Sequence, residues 1–227
     1  MQYDFKIKAE ISHVKLISKA FDILKSISKG EISRAACLLE ENKTTFSQNK
    51  LDYPEFFDIR IQKIKKDLLD IEQQYFSKSL NILQLGTFGS HLANCKQRFI
   101  DTGIIMKNKR LSSMEINITE DDLNLIHLAC YIYYRIQSGY VEDVLLVVKH
   151  KIDYDLVYNE LVKISDYALG FYDEKYRLEI TSPSLHRKSK WAYDICKCID
   201  NRENLDTIKN IGTLPRLKVY KNDKIQT

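Results

Sequence analysis

Residues 119–183, TEDDLNLIHLACYIYYRIQSGYVEDVLLVVKHKIDYDLVYNELVKISDYALGFYDEKYRLEITSP, decide the reading of this chain. Thr119 followed by Glu120, Asp121 and Asp122 reads as a helix N-cap with acids at the positive end of the helix dipole. Leu123, Leu125, Ile126, Ala129, Cys130, Tyr133 and Ile136 then recur at helical spacing, and Ser138-Gly139 stops the helix. A second run, from Val141 to Lys149, turns Val144, Leu145 and Val148 inward. Asp153 or Asp155 caps a third helix with Val157, Leu161, Ile164 and Ala168 on one face, closed by Gly170. Beyond it, Tyr176, Leu178 and Ile180 alternate with Arg177, Glu179 and Thr181, which is strand periodicity. Phe171-Tyr172 and the turn Asp173-Glu174-Lys175 make this a hairpin, and Pro183 ends it. A last helix, from about Leu185 to Ile199, packs Trp191, Ile195 and Cys198 back onto the unit.

Three helices, a hairpin and a helix are the outline of a winged helix-turn-helix unit. The run LGFYDEKYRLEITSPSLHRKSKWAYDIC, residues 169–196, resembles the end of the recognition helix, the wing and the following helix of MarR-type winged-helix regulators. It is also similar to the kite-type winged-helix subunits of SMC complexes. The resemblance covers about a third of the chain and has no invariant motif. It implies docking on nucleic acid or on another protein. The kite-type likeness implies binding to an SMC-like ATPase in chromosome-handling or plasmid- and phage-defence (antiviral) complexes.

Charge separates those two partners. Residues 119–184 carry six basic side chains against twelve acidic ones. A third helix offering Asp153, Asp155, Glu160 and Asp166 is repelled by phosphates, whose neutralisation supplies most non-specific affinity for DNA. It suits a protein partner better than a major groove. Residues 185–227 hold ten basic side chains against five acidic, densest at His186-Arg187-Lys188-Ser189-Lys190. With Lys175 and Arg177 of the wing, Arg187, Lys188 and Lys190 are the candidate contacts to a phosphate backbone. The alternative is a solvated helix N-terminus. For a protein interface the candidates are Asp155, Tyr158 and Asn159 on the third helix and Tyr131 and Tyr134 on the first. Neighbouring tyrosines in one helix cannot all face one core, and interface hot spots favour Tyr. A buried ring with its hydroxyl at the rim is the competing reading of Tyr131 and Tyr134.

Upstream of residue 119 the chain reads as wholly helical. Val14, Ile17, Ala20, Phe21, Leu24 and Ile27 form one face, ended near Gly30. Ile32 to Leu39 make a short helix, and Asn42 to Asp52 are polar and turn-like. Phe57, Ile61, Ile64, Leu68, Ile71 and Tyr75 follow heptad spacing along what reads as the longest helix. That seam faces either an intramolecular helix or a partner's coiled coil. Gly86 and Gly89 read as a helix–helix turn with Ser90 capping the next helix, and 102–113 as a linker.

Chemistry is thin. The 7 Gly and 3 Pro leave little room for a turn-rich all-β fold or a glycine phosphate loop. The five cysteines are scattered and odd in number, which suits reduced thiols. His127 and Cys130 share a helix face, but no second ligand pair stands near them. Cys196 and Cys198 point apart on a helix. No Arg-x4–6-His or H-x-E with P-C-x-x-C string is present. No stretch approaches the roughly 20 apolar residues of a membrane span, and the start lacks an apolar signal region.

The expectation is a mostly α protein: a helical unit over 1–112, a winged-helix-like unit with one β-hairpin over 113–200, and a basic tail over 201–227. Its expected role is a non-enzymatic accessory subunit, with no cofactor or metal, in a nucleic-acid-handling complex. The expected partner is an ATPase or nuclease subunit, with DNA-backbone contact and homodimerisation as further options and no membrane contact. The expected compartment is the cytoplasm. The runner-up is a DNA-binding winged-helix transcription regulator. A nuclease or toxin with a site scattered through the sequence ranks third.

Overall fold

A computed structural model describes residues 3–48, 55–76, 86–148, 153–169, 181–202 and 217–221. The described part is mostly helical, as the periodicities require, with a small antiparallel sheet. β1 (Phe5–Glu10) leads directly into α1 (Ile11–Ser28), followed by α2 (Arg34–Glu40), α3 (Lys43–Gln48) and α4 (Phe56–Ile71). A π-helical turn, Glu72–Phe76, extends α4. α5 (Gly86–Lys109) and β2 (Ser113–Ile118) precede α6 (Glu120–Gln137). A 3-10 turn, Val141–Val144, runs into α7 (Leu145–Val148), and α8 (Tyr154–Leu169), α9 (Arg187–Asp200) and β3 (Lys218–Lys221) complete the order.

Two helices carry their ends as the sequence indicates. Thr119 Oγ1 accepts from the Asp122 backbone N–H at 3.1 Å, and Asp122 accepts from the Thr119 N–H at 2.9 Å, a reciprocal capping box. Gly139, at φ +100°, ends α6 in the left-handed region that glycine alone enters without strain. α8 begins directly after Asp153 and buries Val157, Leu161, Ile164 and Ala168. α9 starts at Arg187, two residues after the expected Leu185, because His186 caps it, its Nδ1 accepting the Lys188 N–H at 3.2 Å.

The chain before residue 119 is not wholly helical. Phe5, Ile7 and Ala9 alternate with Lys6, Lys8 and Glu10, and β1 forms the centre of a sheet ordered β2-β1-β3. Ile7 pairs with Ile116 on one side and Val219 on the other. The sheet therefore joins residues from all three segments of the expected division, and the core is continuous across residue 112. The expected linker at 102–113 is instead the last turns of α5 and the start of β2, with Thr102 and Met106 buried. Gly86 and Gly89 do not form a helix–helix turn. α5 begins at Gly86 and runs through Ser90, so Ser90 is not a cap. Among the described residues α5, with 24 residues, and not α4, with 16, is the longest helix. Residues 43–48 form α3, because Phe46 is buried against Phe57, ring centroids 5.5 Å apart.

The heptad seam of α4 is internal. Phe57, Ile61, Ile64, Leu68 and Ile71 are all buried, facing α2 and α8. Each such side chain contributes roughly 1.5–3 kcal/mol relative to exposure. Residues 171–180, which include the expected hairpin with Lys175 and Arg177, lie outside the described residues. No helix among the described residues is long and apolar enough to cross a membrane.

Candidate functional site

At the start of α8, large side chains face outward together. Helical spacing puts Val157, Leu161 and Ile164 on the packed side, so Tyr154, Asp155, Leu156, Tyr158 and Asn159 share the opposite arc. All five are exposed; Tyr154, Leu156 and Tyr158 are 41%, 45% and 40% accessible. The Tyr154 and Tyr158 rings stack, centroids 5.7 Å apart and planes within 10°. That i,i+4 stack fixes both rings before anything docks on them, which lowers the ordering cost of binding. Asp153 and Asp155 are exposed beside the rings, with no cation within ion-pair distance among the described residues.

The face is held firmly from behind. Ser165 Oγ accepts the Val141 N–H at 2.8 Å and donates to Glu142 Oε2, tying α8 to the 3-10 turn. Gly139 lets the end of α6 approach α8: a Cβ there would lie 2.9 Å from Leu169 Cδ2. On the other side, Arg60 and Lys63 of α4 sit over the Tyr167 ring at 5.1 and 5.0 Å.

Tyr131 and Tyr134, grouped with this face by the sequence, occupy a different position. Both are half-buried in an aromatic row between α6 and α9. His127 stacks on Tyr131 at 6.2 Å, Tyr131 meets Tyr134 edge-on at 5.3 Å, and Tyr134 meets Tyr193 edge-on at 5.2 Å. Burial pushes the Tyr131 and Tyr134 hydroxyls up, so both remain protonated donors. Their rings mainly cement the α6–α9 pair.

The basic cluster at the start of α9 is not one flat patch. Arg187 is exposed, its guanidinium 5.3 Å from the Trp191 ring centre. Lys188 and Lys190 are half-buried, and burial lowers the pKa of both. For Lys188 the neighbouring Lys19 and Arg187 add to the lowering. Only Arg187 of these three presents an ordinary solvated charge to a phosphate.

Two polar hubs escaped sequence reasoning, because their members are far apart in the chain. Asp122 is 2% exposed and lies 2.5 Å from Arg98 Nη1. His91 Nε2 stands 3.2 Å from its other oxygen, outside hydrogen-bonding alignment. Burial raises the Asp122 pKa, but the Thr119 N–H and Arg98 outweigh it and hold the carboxyl below its ordinary range. Cys95, beside this hub, is fully buried and its thiol is pushed well up, so it is no thiolate nucleophile. The second hub is Glu41, which pairs with Lys19 and accepts from Tyr133 Oη at 3.1 Å and Gln137 Nε2 at 3.4 Å. It binds α1, α2 and α6 together.

His127 Nε2 lies 3.0 Å from Asp200 Oδ1, while its sequence neighbour Cys130 is fully buried. Among the described residues no three or more His, Cys, Asp or Glu side chains converge as metal ligands. No protein-family model, curated protein or solved structure matches this chain.

Proposed function

We propose that this protein is a non-enzymatic accessory subunit that docks on a protein partner through the start of α8. The observation that carries the reading is the exposed, pre-stacked Tyr154–Tyr158 pair flanked by Leu156, Asp155 and Asn159. Rigid aromatic rings with a polar rim are the composition of interface anchors. The acids favour a basic partner surface and oppose a phosphate backbone. The winged-helix resemblance of the sequence is what supports a partner in a nucleic-acid-handling assembly, an ATPase of the SMC-like kind or a nuclease subunit.

Tagged protein recovered from its native host at moderate salt, with and without nuclease, tests this. A stoichiometric protein that survives nuclease digestion and is lost on Tyr158→Ala supports the reading. Recovery of DNA alone, abolished by digestion or high salt, removes it and favours the regulator. Among the described candidates for phosphate contact, Arg187 is the exposed one that favours the regulator, and a single exposed guanidinium is a small electrostatic footprint for duplex binding.

A further inference from the structure

A cluster of charged side chains gathers where α1, the end of α2 and the start of α9 meet, on elements separate from α8. Lys19 of α1 pairs with Glu41. The neighbouring Asn42 accepts the His186 N–H at 2.9 Å, which ties the entry of α9 to that pair. The charges of Glu41, Lys188, Lys19 and Arg187 all act on the His186 ring, and those of Lys19, Glu41 and Arg187 act on Lys188. Three cations thus stand around one carboxylate. Glu41 is taken up by Lys19, while Arg187 and Lys188 have no carboxylate within ion-pair distance among the described residues. Two positive charges are left over. Lys188 is half-buried, where an uncompensated cation is unfavourable.

His186 adds a donor that has no acceptor. The residue is only 7% exposed, and its Nδ1 accepts the Lys188 N–H at 3.2 Å. The neutral ring therefore carries its proton on Nε2. That Nε2–H meets no acceptor among the described residues, although the ring stands among the cations just named. The backbone N–H of Arg187, the first residue of α9, is likewise unpaired there, at the positive end of a 14-residue helix. The Arg187 guanidinium rests by its face on Trp191 at 5.3 Å, so its edge N–H groups stay available. Lys190 is different: burial alone lowers its pKa, with no charged neighbour contributing, so it lies outside the cluster.

We propose that the start of α9 binds a phosphoryl dianion, free phosphate or a phosphate monoester, between the Lys188 ammonium, the Arg187 guanidinium and the His186 Nε2–H. Two surplus positive charges match a dianion, and a tetrahedral oxyanion offers a separate oxygen to each donor. The continuous backbone of a duplex does not reach a ring nitrogen so deeply buried; a small anion or a chain end does. The site is independent of the α8 reading, and neither stands or falls with the other.

The test uses the full chain, with titration calorimetry and melting curves in sodium phosphate against sodium chloride at equal ionic strength. Phosphate should bind saturably at one per chain, with Kd at or below about 1 mM, and should raise the melting temperature where chloride does not. Arg187→Gln and Lys188→Gln should each weaken binding by about tenfold or more. His186→Asn keeps a capping oxygen but loses the Nε2–H, and should weaken it by about fivefold or more. Lys190→Gln should change it by about twofold or less. Arg187 is exposed, so its variant should keep the parent melting temperature in chloride and decides the matter even where a buried variant melts early. A 5′-phosphorylated pentanucleotide and its 5′-hydroxyl counterpart separate the sources. Tighter binding of the phosphorylated form, competed by phosphate, supports the site with a nucleic-acid end as its ligand. Binding of phosphate with neither oligonucleotide supports it with the free anion. No saturable phosphate binding, unchanged binding in Arg187→Gln, or an equal loss in Lys190→Gln overturns the proposal. So does equal binding of the two oligonucleotides without competition by phosphate, which would mark an ordinary backbone contact.

Discussion

Asn42 and His186, 144 residues apart, are joined by a 2.9 Å hydrogen bond from the His186 backbone N–H to Asn42 Oδ1. The other end of the same amide, Asn42 Nδ2, donates to the Gln137 carbonyl at 2.9 Å. One fully buried side chain thus links the end of α2, the end of α6 and the entry to α9. Asn42→Ala leaves a buried donor and a buried acceptor unsatisfied, at about 1–3 kcal/mol each. We expect a loss of about 2–4 kcal/mol, seen as a drop in melting temperature of roughly 5–15 °C. Unchanged stability would mean that this amide does not hold the three elements together.

His186 predicts a pH dependence. Burial lowers its pKa to about 4; Glu41 opposes that, and Lys188, Lys19 and Arg187 add to it. Its Nδ1 is occupied as an acceptor of the Lys188 N–H, so the folded state holds the ring neutral. Between about pH 6.5 and 4 the unfolded chain binds a proton that the folded chain does not. Stability therefore rises with pH across that window and falls as the pH drops through it. Urea unfolding from pH 7 to 4 should show this slope, and His186→Gln should flatten it.

Asp122 acts in a lower window. Its folded pKa is depressed below its unfolded value, so its contribution is present above the unfolded pKa of about 3.9 and is lost as the pH falls through the folded value. Removing the carboxylate strands Arg98, which lies 2.5 Å away, and empties the capping box of α6. Asp122→Ala should cost about 3–5 kcal/mol at pH 7 by chemical denaturation. A cost under about 1 kcal/mol would reduce the pair to an ordinary surface ion pair.

Gly139→Ala combines two penalties. A side chain at φ +100° is strained, and the added Cβ would lie 2.9 Å from Leu169 Cδ2. We expect a destabilisation of about 1–3 kcal/mol, centred on the α6–α8 contact. Hydrogen exchange should show α8 opening more readily in the variant, with α1 little changed.

Tyr158 separates interface from stability. Its ring is 40% exposed and stacks only on the equally exposed Tyr154 among the described rings. Tyr158→Ala should leave the melting temperature within about 2 °C of the parent. Recovery of the protein partner should fall about tenfold or more, and Asp155→Lys should weaken it through reversed charge. A variant that melts early and binds normally would place Tyr158 in the packing instead.

The helices were legible because their determinants are local. Caps such as Thr119, breakers such as Gly139 and the apolar faces of α1, α4, α6 and α8 all lie within a few turns of the residues they govern. The exposed start of α8 follows from the same periodicity, so Asp155, Tyr158 and Asn159 could be read as outward-facing from sequence. The sheet could not be located that way. β1 does alternate, Phe5, Ile7 and Ala9 inward, but six residues with no neighbouring strand give no sign of their partner. The partners are β2, more than a hundred residues on, and β3 near the far end of the chain. The same holds for Asn42 with His186 and for Arg98 with Asp122. Periodicity and capping are properties of one segment. Strand pairing, buried amides and buried ion pairs form only when distant segments share a low-dielectric interior that leaves no polar group unpaired without cost. Sequence alone thus determined where the helices run and which faces they bury; tertiary packing decided what those faces meet, which tyrosines remain outside, and how the two ends of the chain meet in one sheet.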